Sequence, residues 1–508
     1  MLKLRPYQNE AIQSIFQKYR EGEKRILLVM ATGCGKTVVF SSIADMVVRR
    51  GVRVLILAHR DELLTQAASK LANMFGVEST IEKGKDHAIL SNAPVVIASV
   101  QTLSGQKRLA EWRYDSFGLI IVDEAHHSVA NTYKRILDYF SKAKVLGVTA
   151  TPNRADKKDL SKIYSCIAYE YGLKVAIDDG YLSNIQVRTI PLKIDISNVS
   201  VSVGDFEAQE LADTLEPYLA PIADCMVQEC RKRKTIVFLP LVKISQLFQQ
   251  LLQERGFRVA EINGCTKDRK EILRDFHEGK YDVLVNAMLL TEGFDEPSVD
   301  CVVVLRPTKS FSLYTQMVGR GTRKAKGKRE LLLLDFLWLT GQYDLCRPAS
   351  LIAPSTEIAQ KMTEAMESMG TADLSTTLQE AILDASAQAS GNGLNPLVVD
   401  IAKELAMEDV LNYTPTFKWE KNPATIKQLK TLEKFGLPRT AISDRGLACR
   451  LITHLVERIK QGLATLRQIR LLHKFGYKEV ARWTFAKADK TISWLAKNSW
   501  RVPKKIAN

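Results

Sequence analysis

The chain has 508 residues, 46% of them hydrophobic, a formal net charge of +15 and eight cysteines. That length supports two to four domains, each with its own core. The lack of any membrane-length apolar run, and of an apolar segment in the opening MLKLRPYQNE, argues against a bilayer span and a signal peptide and leads us to expect a soluble, cytoplasmic protein with no membrane contact.

The cysteines are scattered without a CxxC pair, which points to reduced, mostly buried thiols and away from zinc or a disulfide framework. Charge is unevenly placed: residues 418–508 carry +15 and residues 341–415 carry −8. A basic tail therefore follows a mildly basic core through an acidic connector. Such a tail favours polyanions, with nucleic acid the first expectation.

In chain order, residues 26–30 read as a buried strand that breaks into the loop 31–35 and resumes as a helical pattern over 38–50, closed by Gly51. Gly33 and Gly35 let the loop curl so that its N–H groups point at phosphate oxygens, with Thr32 and Cys34 completing the cradle. Lys36 is placed to reach the β and γ phosphates of ATP, and the Thr37 hydroxyl to ligate Mg²⁺. The strict phosphate-loop pattern wants glycine where this chain has Met30.

Further strands are expected at 52–58, 95–99, 119–122 and 145–148, with a helix over 61–75. Alternating β and α at this spacing predicts a parallel, doubly wound sheet, in which ligands bind at the carboxyl ends of the strands. Asp123 and Glu124 follow the strand LIIV directly. There Asp123 can hold the Mg²⁺ shell and Glu124 can polarise the water that attacks the γ-phosphate.

The ordered set LRPYQ (4–8), ATGCGKT, LAHRDEL (57–63), SVQT (99–102), DEAH (123–126) and TATP (149–152) resembles the motif series of superfamily 2 helicases of the DEAD/DEAH-box kind. The resemblance implies that Gln8 reads adenine, that Arg60, Gln101 and Thr102 touch the nucleic-acid backbone, and that His126, Thr149 and Thr151 couple the ATP state to lobe movement. Residues 186–340 repeat the α/β alternation without a second phosphate loop. They contain TEGFD (291–295) and YTQMVGRGTR (314–323), which resemble the fifth and sixth family motifs; the first of these implies a nucleic-acid contact at Thr291 and nucleotide contacts at Gly293 and Asp295. At helical spacing Gln316, Arg320 and Arg323 share one face, and two guanidiniums on such a face can stabilise charge on the transferring γ-phosphoryl group. Over residues 1–340 the chain is most similar to RadD-like bacterial helicases, without their cysteine-rich, zinc-ribbon-like C-terminus.

After the lobes, residues 355–369 and 374–389 have helical apolar spacing, and the glycine-bearing stretch 390–396 breaks the pattern. Two connector helices and a hinge are expected, serving as a spacer or as a cover for the basic nucleic-acid surface. In the tail, ATIKQLKTLEKFGL (424–437) recurs as ATLRQIRLLHKFGY (464–477), a 40-residue period. Thr425 and Thr465 have capping-box spacing to Gln428 and Gln468, and Gly436 and Gly476 end the helices. Lys427, Lys430 and Lys434, with Arg467, Arg470 and Lys474, form one basic ridge per copy. Two uses stand open for this tail: phosphate contact with DNA, or docking of another replication or repair protein.

The expected architecture is α/β: two tandem RecA-like parallel-sheet lobes (1–185 and 186–340), an acidic helical connector (341–415) and a basic all-α tail with a duplicated helical unit (416–508). The expected activity is that of a DNA helicase or translocase driven by ATP and Mg²⁺. An ATP-gated DNA clamp and an RNA helicase remain as alternatives.

Overall fold

The computed structural model describes residues 4–59, 61–150, 159–202, 205–287, 296–339, 345–388, 394–498 and 500. The chain divides into two compact units, residues 1–353 with 359–378, and residues 354–358 with 379–508.

The first unit holds two sheets in tandem. Short apolar runs give β1 (Arg25–Met30), β2 (Val54–Ala58), β3 (Ser79–Glu82), β4 (Val95–Ser99), β5 (Leu119–Val122), β6 (Lys144–Thr149) and β7 (Cys166–Tyr171). They pair in parallel in the order β3-β4-β2-β5-β6-β1-β7. β2, β4 and β5 are buried at every residue, as parallel strands covered by crossover helices on both faces must be. Trp112, Phe140 and Tyr164 fill the core beside them. Because β5, β6 and β1 are neighbours, Asp123, Thr149 and the phosphate loop emerge side by side at one edge of the sheet.

The second sheet contains β8 (Ile185–Asp195), β11 (Thr235–Leu239), β12 (Val259–Ile262), β13 (Val283–Ala287), β14 (Cys301–Val304), β15 (Leu331–Leu339) and β16 (Thr371–Asp373); a separate hairpin is made by β9 (Val201–Ser202) and β10 (Asp205–Phe206). The order is β12-β13-β11-β14-β15-β8-β16, parallel except for β16, which runs antiparallel to β8. The fold is therefore two RecA-like α/β lobes. The stretch 341–415, however, is not a connector throughout. Thr371 and Ala372 pair with Arg188 and Val187, Met362 and Met366 are buried, at 0% and 2% exposed, and Glu367 pairs with Arg347 at 3.2 Å. The apolar face of the helix Thr356–Met369 and the open edge of β8 recruit this acidic segment into the second lobe.

The second unit is helical. The repeat appears as helix Ile426–Phe435, a short turn at Arg439–Ala441 and helix Arg445–Lys460, followed by Leu466–Lys474, Val480–Arg482 and Phe485–Lys497. Both Thr–Gln capping boxes form, and Gly436 and Gly476 take left-handed φ values of 93° and 81° at the helix ends, as such caps require. The copies are tied to one another by arginines. Arg458 of the first donates to the carbonyls of Ala464 and Ala481 in the second. In return, Arg467 and Arg470 donate to the Glu433 and Gly436 carbonyls at 3.4 and 2.9 Å, which places their charge at the negative end of the first copy's helix.

In the same unit His454 Nε2 lies 2.6 Å from Asp409 Oδ1, and Arg450 pairs with the other Asp409 oxygen at 3.3 Å. Burial works against charge on His454, but the hydrogen bond and charge of Asp409, helped by Glu457 and opposed by Arg450, raise its pKa above the ordinary value. A raised folded pKa adds stability that is fully present below the unfolded value of about 6.5 and is lost as pH rises through the folded one. Amide exchange in Arg445–Lys460, corrected for its intrinsic rate, is therefore expected to accelerate from about pH 6 to about pH 8, and His454→Gln to remove that dependence. An unchanged dependence in the variant refutes the assignment.

Candidate active site

β1 delivers the phosphate loop. Gly33 and Gly35 hold φ of 89° and 82°, a left-handed backbone that glycine takes without a Cβ penalty. The loop is packed closely enough that a Cβ on Gly35 would stand 2.6 Å from Gln8 Nε2. Gln8 is buried; its Oε1 accepts from the Arg5 amide at 3.0 Å and its Nε2 donates to the Cys34 carbonyl at 3.1 Å. The Tyr7 hydroxyl donates to the same carbonyl at 2.9 Å. Burial pushes the Cys34 thiol up to about 11, so the loop presents no thiolate to repel a phosphate. Lys36 and Thr37 open the helix Lys36–Val48, and Lys36 Nζ donates to the Met30 carbonyl at 3.4 Å.

β5 delivers the acids. The Asp123 amide donates to the Leu57 carbonyl at 3.1 Å, and Asp123 Oδ1 accepts from the Glu124 amide at 2.9 Å. Glu124 stands at φ 46°, a conformation that costs a non-glycine residue about 1–2 kcal/mol and persists only where the surroundings demand it. Burial opposes charge on its carboxyl, but Lys36 and the imidazoles of His126, His127 and His59 together hold its pKa below the usual carboxylate value. Glu124 is therefore ionised at neutral pH, ready to accept a proton or orient water.

β6 and the second lobe meet at His126. Its Nδ1 is 3.3 Å from Thr149 Oγ1, and its Nε2 is 3.1 Å from Ser312 Oγ. Ser312 lies in the helix Phe311–Gly319, where Ser310 caps the first turn by accepting from the Leu313 amide. Gln316 and Arg320 are buried, at 5% and 7% exposed. The expected single helical face does not extend to Arg323. The helix stops at Gly319, Arg320 is its cap, and Arg323 lies beyond it in a bridge with Leu182. Two contacts impose the break: the Ser183 amide donates to the Thr322 carbonyl at 2.7 Å, and Gly321 packs so tightly that a Cβ would meet Leu331 Cδ1 at 2.4 Å.

The lobes touch through the phosphate loop itself. A Cβ on Gly33 would lie 3.2 Å from Leu182 Cδ2 and 3.3 Å from Arg323 Cγ, and one on Gly319 would lie 2.7 Å from Thr32 Cβ. Among the described residues, Thr32 Oγ1 and Thr315 Oγ1 are buried without a hydrogen-bond partner, each at a cost of about 1–3 kcal/mol, while Glu124 Oε2 faces His126 Nδ1 at 3.4 Å. These orphaned oxygens and the glycine cradle fit a triphosphate with its metal. Thr37 and Asp123 would hold Mg²⁺, which supplies charge neutralisation across the β and γ phosphates.

Gln101 Nε2 donates to the His59 carbonyl at 3.1 Å while its Oε1 accepts from Ser99, and Thr102 Oγ1 accepts from the Gly84 amide at 3.1 Å. These two residues thus brace neighbouring loops. Lys427, Lys430, Lys434, Arg467 and Lys474 are exposed in the second unit, and Arg470 is half-buried. Arg60, Thr151, Thr291, Gly293 and Asp295 lie outside the described residues. Sequence reasoning missed Ser312, although its place four residues before Gln316, on the same helical face, was a usable signal.

Gly319→Ala, whose added methyl has its nearest neighbours on Thr32 across the cleft, is expected to lower ATP turnover by about tenfold or more with thermal stability little changed. Unchanged turnover would show that the lobes do not meet here during the cycle.

Residues 1–154 match the Type III restriction enzyme, res subunit family, and residues 219–325 match the helicase conserved C-terminal domain. The chain is 36% identical over 357 residues to the putative ATP-dependent helicase IRC3 of Saccharomyces cerevisiae, covering 66% of this chain and 51% of the relative. It thus spans about half the length of that curated relative. Among solved structures, a fragment of a putative HsdR subunit of a type I restriction enzyme from Vibrio vulnificus YJ016 aligns with TM-score 0.52 and 29% identity, over 66% of this chain and 64% of that one. The ATP-dependent Type ISP restriction-modification enzyme LlaBIII bound to DNA shares the fold at TM-score 0.54 and 18% identity, over 98% of this chain and 40% of that one. Together with the motif series and the paired lobes, these matches make residues 1–154 and 219–325 similar to helicase and restriction-enzyme subunits that share the two-lobed fold.

Proposed function

We propose that the protein is a nucleic-acid-stimulated ATPase that translocates on or unwinds DNA. The observation that carries this reading is the apposition of Arg323 and Gly319 to the phosphate loop, opposite an ionised Glu124. ATP and Mg²⁺ bind between the lobes, Lys36 and the loop amides hold the phosphates, and Glu124 orients the attacking water. Arg320 and Arg323 stabilise the charge that develops on the γ-phosphoryl group. Closing and opening of the cleft then moves the second lobe, through Ser312 and His126, relative to a strand lying across both. Binding alone could not separate strands, because each step costs about 1.4 kcal/mol of stacking that must be supplied repeatedly.

DNA is favoured over RNA by the RadD-like motifs and by the DNA-bound neighbour. No helix of the described residues is long and apolar enough to cross a membrane, and a cytoplasmic site of action in repair, recombination or replication fits this reading. The basic tail serves DNA contact through Lys427, Lys430, Lys434 and Lys474. A second use, protein docking, is favoured by one observation: Arg467 and Arg470 donate to helix-end carbonyls instead of standing free.

Strand displacement by the intact chain tests the proposal: ATP-dependent unwinding or translocation on a forked DNA is expected, whereas slow hydrolysis with intact duplex points to a DNA clamp. Lys36→Ala is expected to abolish nucleotide binding or turnover, and Glu124→Gln to leave ATP binding intact while stopping hydrolysis. Loss of Arg320 or Arg323 should lower kcat by about a thousandfold. Removal of the tail after Pro415 should weaken DNA binding and flatten its salt dependence by about 0.9 log unit per lost phosphate contact; an unchanged slope assigns the tail to protein docking.

A further inference from the structure

Five residues past Arg323, outside the helicase motifs, Lys328 is half-buried beneath the arginine segment. A turn brings it there: the Lys328 amide donates to the Ala325 carbonyl at 3.2 Å, with Gly327 at φ 83°, the geometry of a tight reversal that needs glycine. Its ammonium then donates to three backbone carbonyls, those of Gly321, of Arg323 at 2.7 Å and of Val299 at 2.5 Å. Three donors meet three acceptors, which is the full capacity of the group.

Two of those carbonyls belong to the segment that carries Arg323, and the first lies just past the end of the helix Phe311–Gly319, where a cation is favoured. The third belongs to the chain entering β14. Ser183 and Leu182 pin the same segment as well: the Ser183 amide donates to the Thr322 carbonyl at 2.7 Å, its hydroxyl donates to the Arg323 carbonyl at 3.2 Å, and Leu182 bridges Arg323. Lys328 bonds the backbone on both sides of Thr322.

We propose that Lys328 is a positioning residue for ATP turnover: its ammonium clamps the Gly321 and Arg323 carbonyls to that of Val299 and so holds the Arg320–Arg323 segment against the phosphate loop. This rests on the reading of Arg320 and Arg323 as the residues that act on the γ-phosphoryl group. A neutral amine would have only two N–H donors and would turn a lone pair toward a carbonyl, so the clamp needs the proton. Burial, with Arg323 adding to it and Asp300 opposing, lowers the Lys328 pKa to about 8. Asp300 is itself held by the Lys234 amide at 2.8 Å and by Arg233, which donates to its carbonyl at 3.3 Å and to Glu330 at 3.5 Å; Asp300 and Arg323 are the charged groups that act on Lys328 among the described residues. ATP turnover then acquires an alkaline limb near pH 8.

The experiment compares the full-length protein with Lys328→Met and Lys328→Arg in two readouts. The first, independent of turnover, is amide exchange without nucleotide. The segment 319–328 should exchange about tenfold faster or more in Lys328→Met and stay near the parent rate in Lys328→Arg, with the tail helices unchanged in both as the control for folding. The second is kcat and KM for ATP from about pH 6.5 to about pH 10. The parent should lose kcat above about pH 8, Lys328→Arg should keep it to higher pH, and Lys328→Met should have a kcat lowered by about a hundredfold and no alkaline limb from this group, with KM little changed. Parent-like exchange of 319–328 in Lys328→Met overturns the clamp whatever the chemistry does. An active parent whose kcat and alkaline limb survive in Lys328→Met overturns its role in turnover, whereas fast exchange in Lys328→Met with no ATP hydrolysis by the parent retains the clamp and sinks the ATPase reading instead.

Discussion

The structure depends on one close approach: a phosphate loop built from residues without bulk, pressed by the other lobe. Gly33 meets Leu182 and Arg323, and Thr32 meets Gly319, at separations where an added Cβ would collide or crowd. Glycine at 33 and 35 is required twice over, once for left-handed backbone and once for room. The same closeness brings the segment that carries Arg320 and Arg323 against the phosphate loop, where the proposed reaction would develop charge. Electrostatic stabilisation of that kind acts only if the donors are already in place. The strand pairings, the helix caps and the Lys328 clamp all serve to put them there.

The contact is also a poised one. Among the described residues one polar link between the lobes runs from Thr149 through His126 to Ser312, and each hydrogen bond of this kind contributes only about 0.5–1.5 kcal/mol net. Among the described residues, the buried hydroxyls of Thr32 and Thr315 have no hydrogen-bond partner, which makes the cleft costly without a polar ligand. Each lobe keeps its own core of parallel strands, so the movement need not disturb either sheet.

Much of this was legible in the chain. Runs such as ILLVM and LIIV announced buried parallel strands, and the motif order announced which loops meet at one edge of the first sheet. Thr425–Gln428 and Thr465–Gln468 announced the two helix starts in the tail. What escaped was set by tertiary contact. Helical spacing carried Arg323 onto the helix face, but Ser183 and the crowding at Gly321 end that helix at Gly319. The acidic stretch after residue 341 looked like a connector because its composition changes. Its strand Thr371–Asp373 instead answers an unpaired edge of β8, which no local pattern reveals. Arg467 and Arg470 stand on the basic ridge that periodicity shows, but their donation to the first copy's carbonyls depends on how the copies stack.

The tail's interlocked arginines and the cleft's paired lobes belong to separate units, each with its own core, and both bear on one claim: that hydrolysis here is coupled to DNA. Steady-state ATP turnover by the purified chain, alone and with single-stranded, duplex and forked DNA and with single-stranded RNA, tests that claim most directly. Strong stimulation by one form of DNA is the expected result and names the structure the protein engages. Turnover that rises with RNA alone, or with no polymer at all, would contradict it.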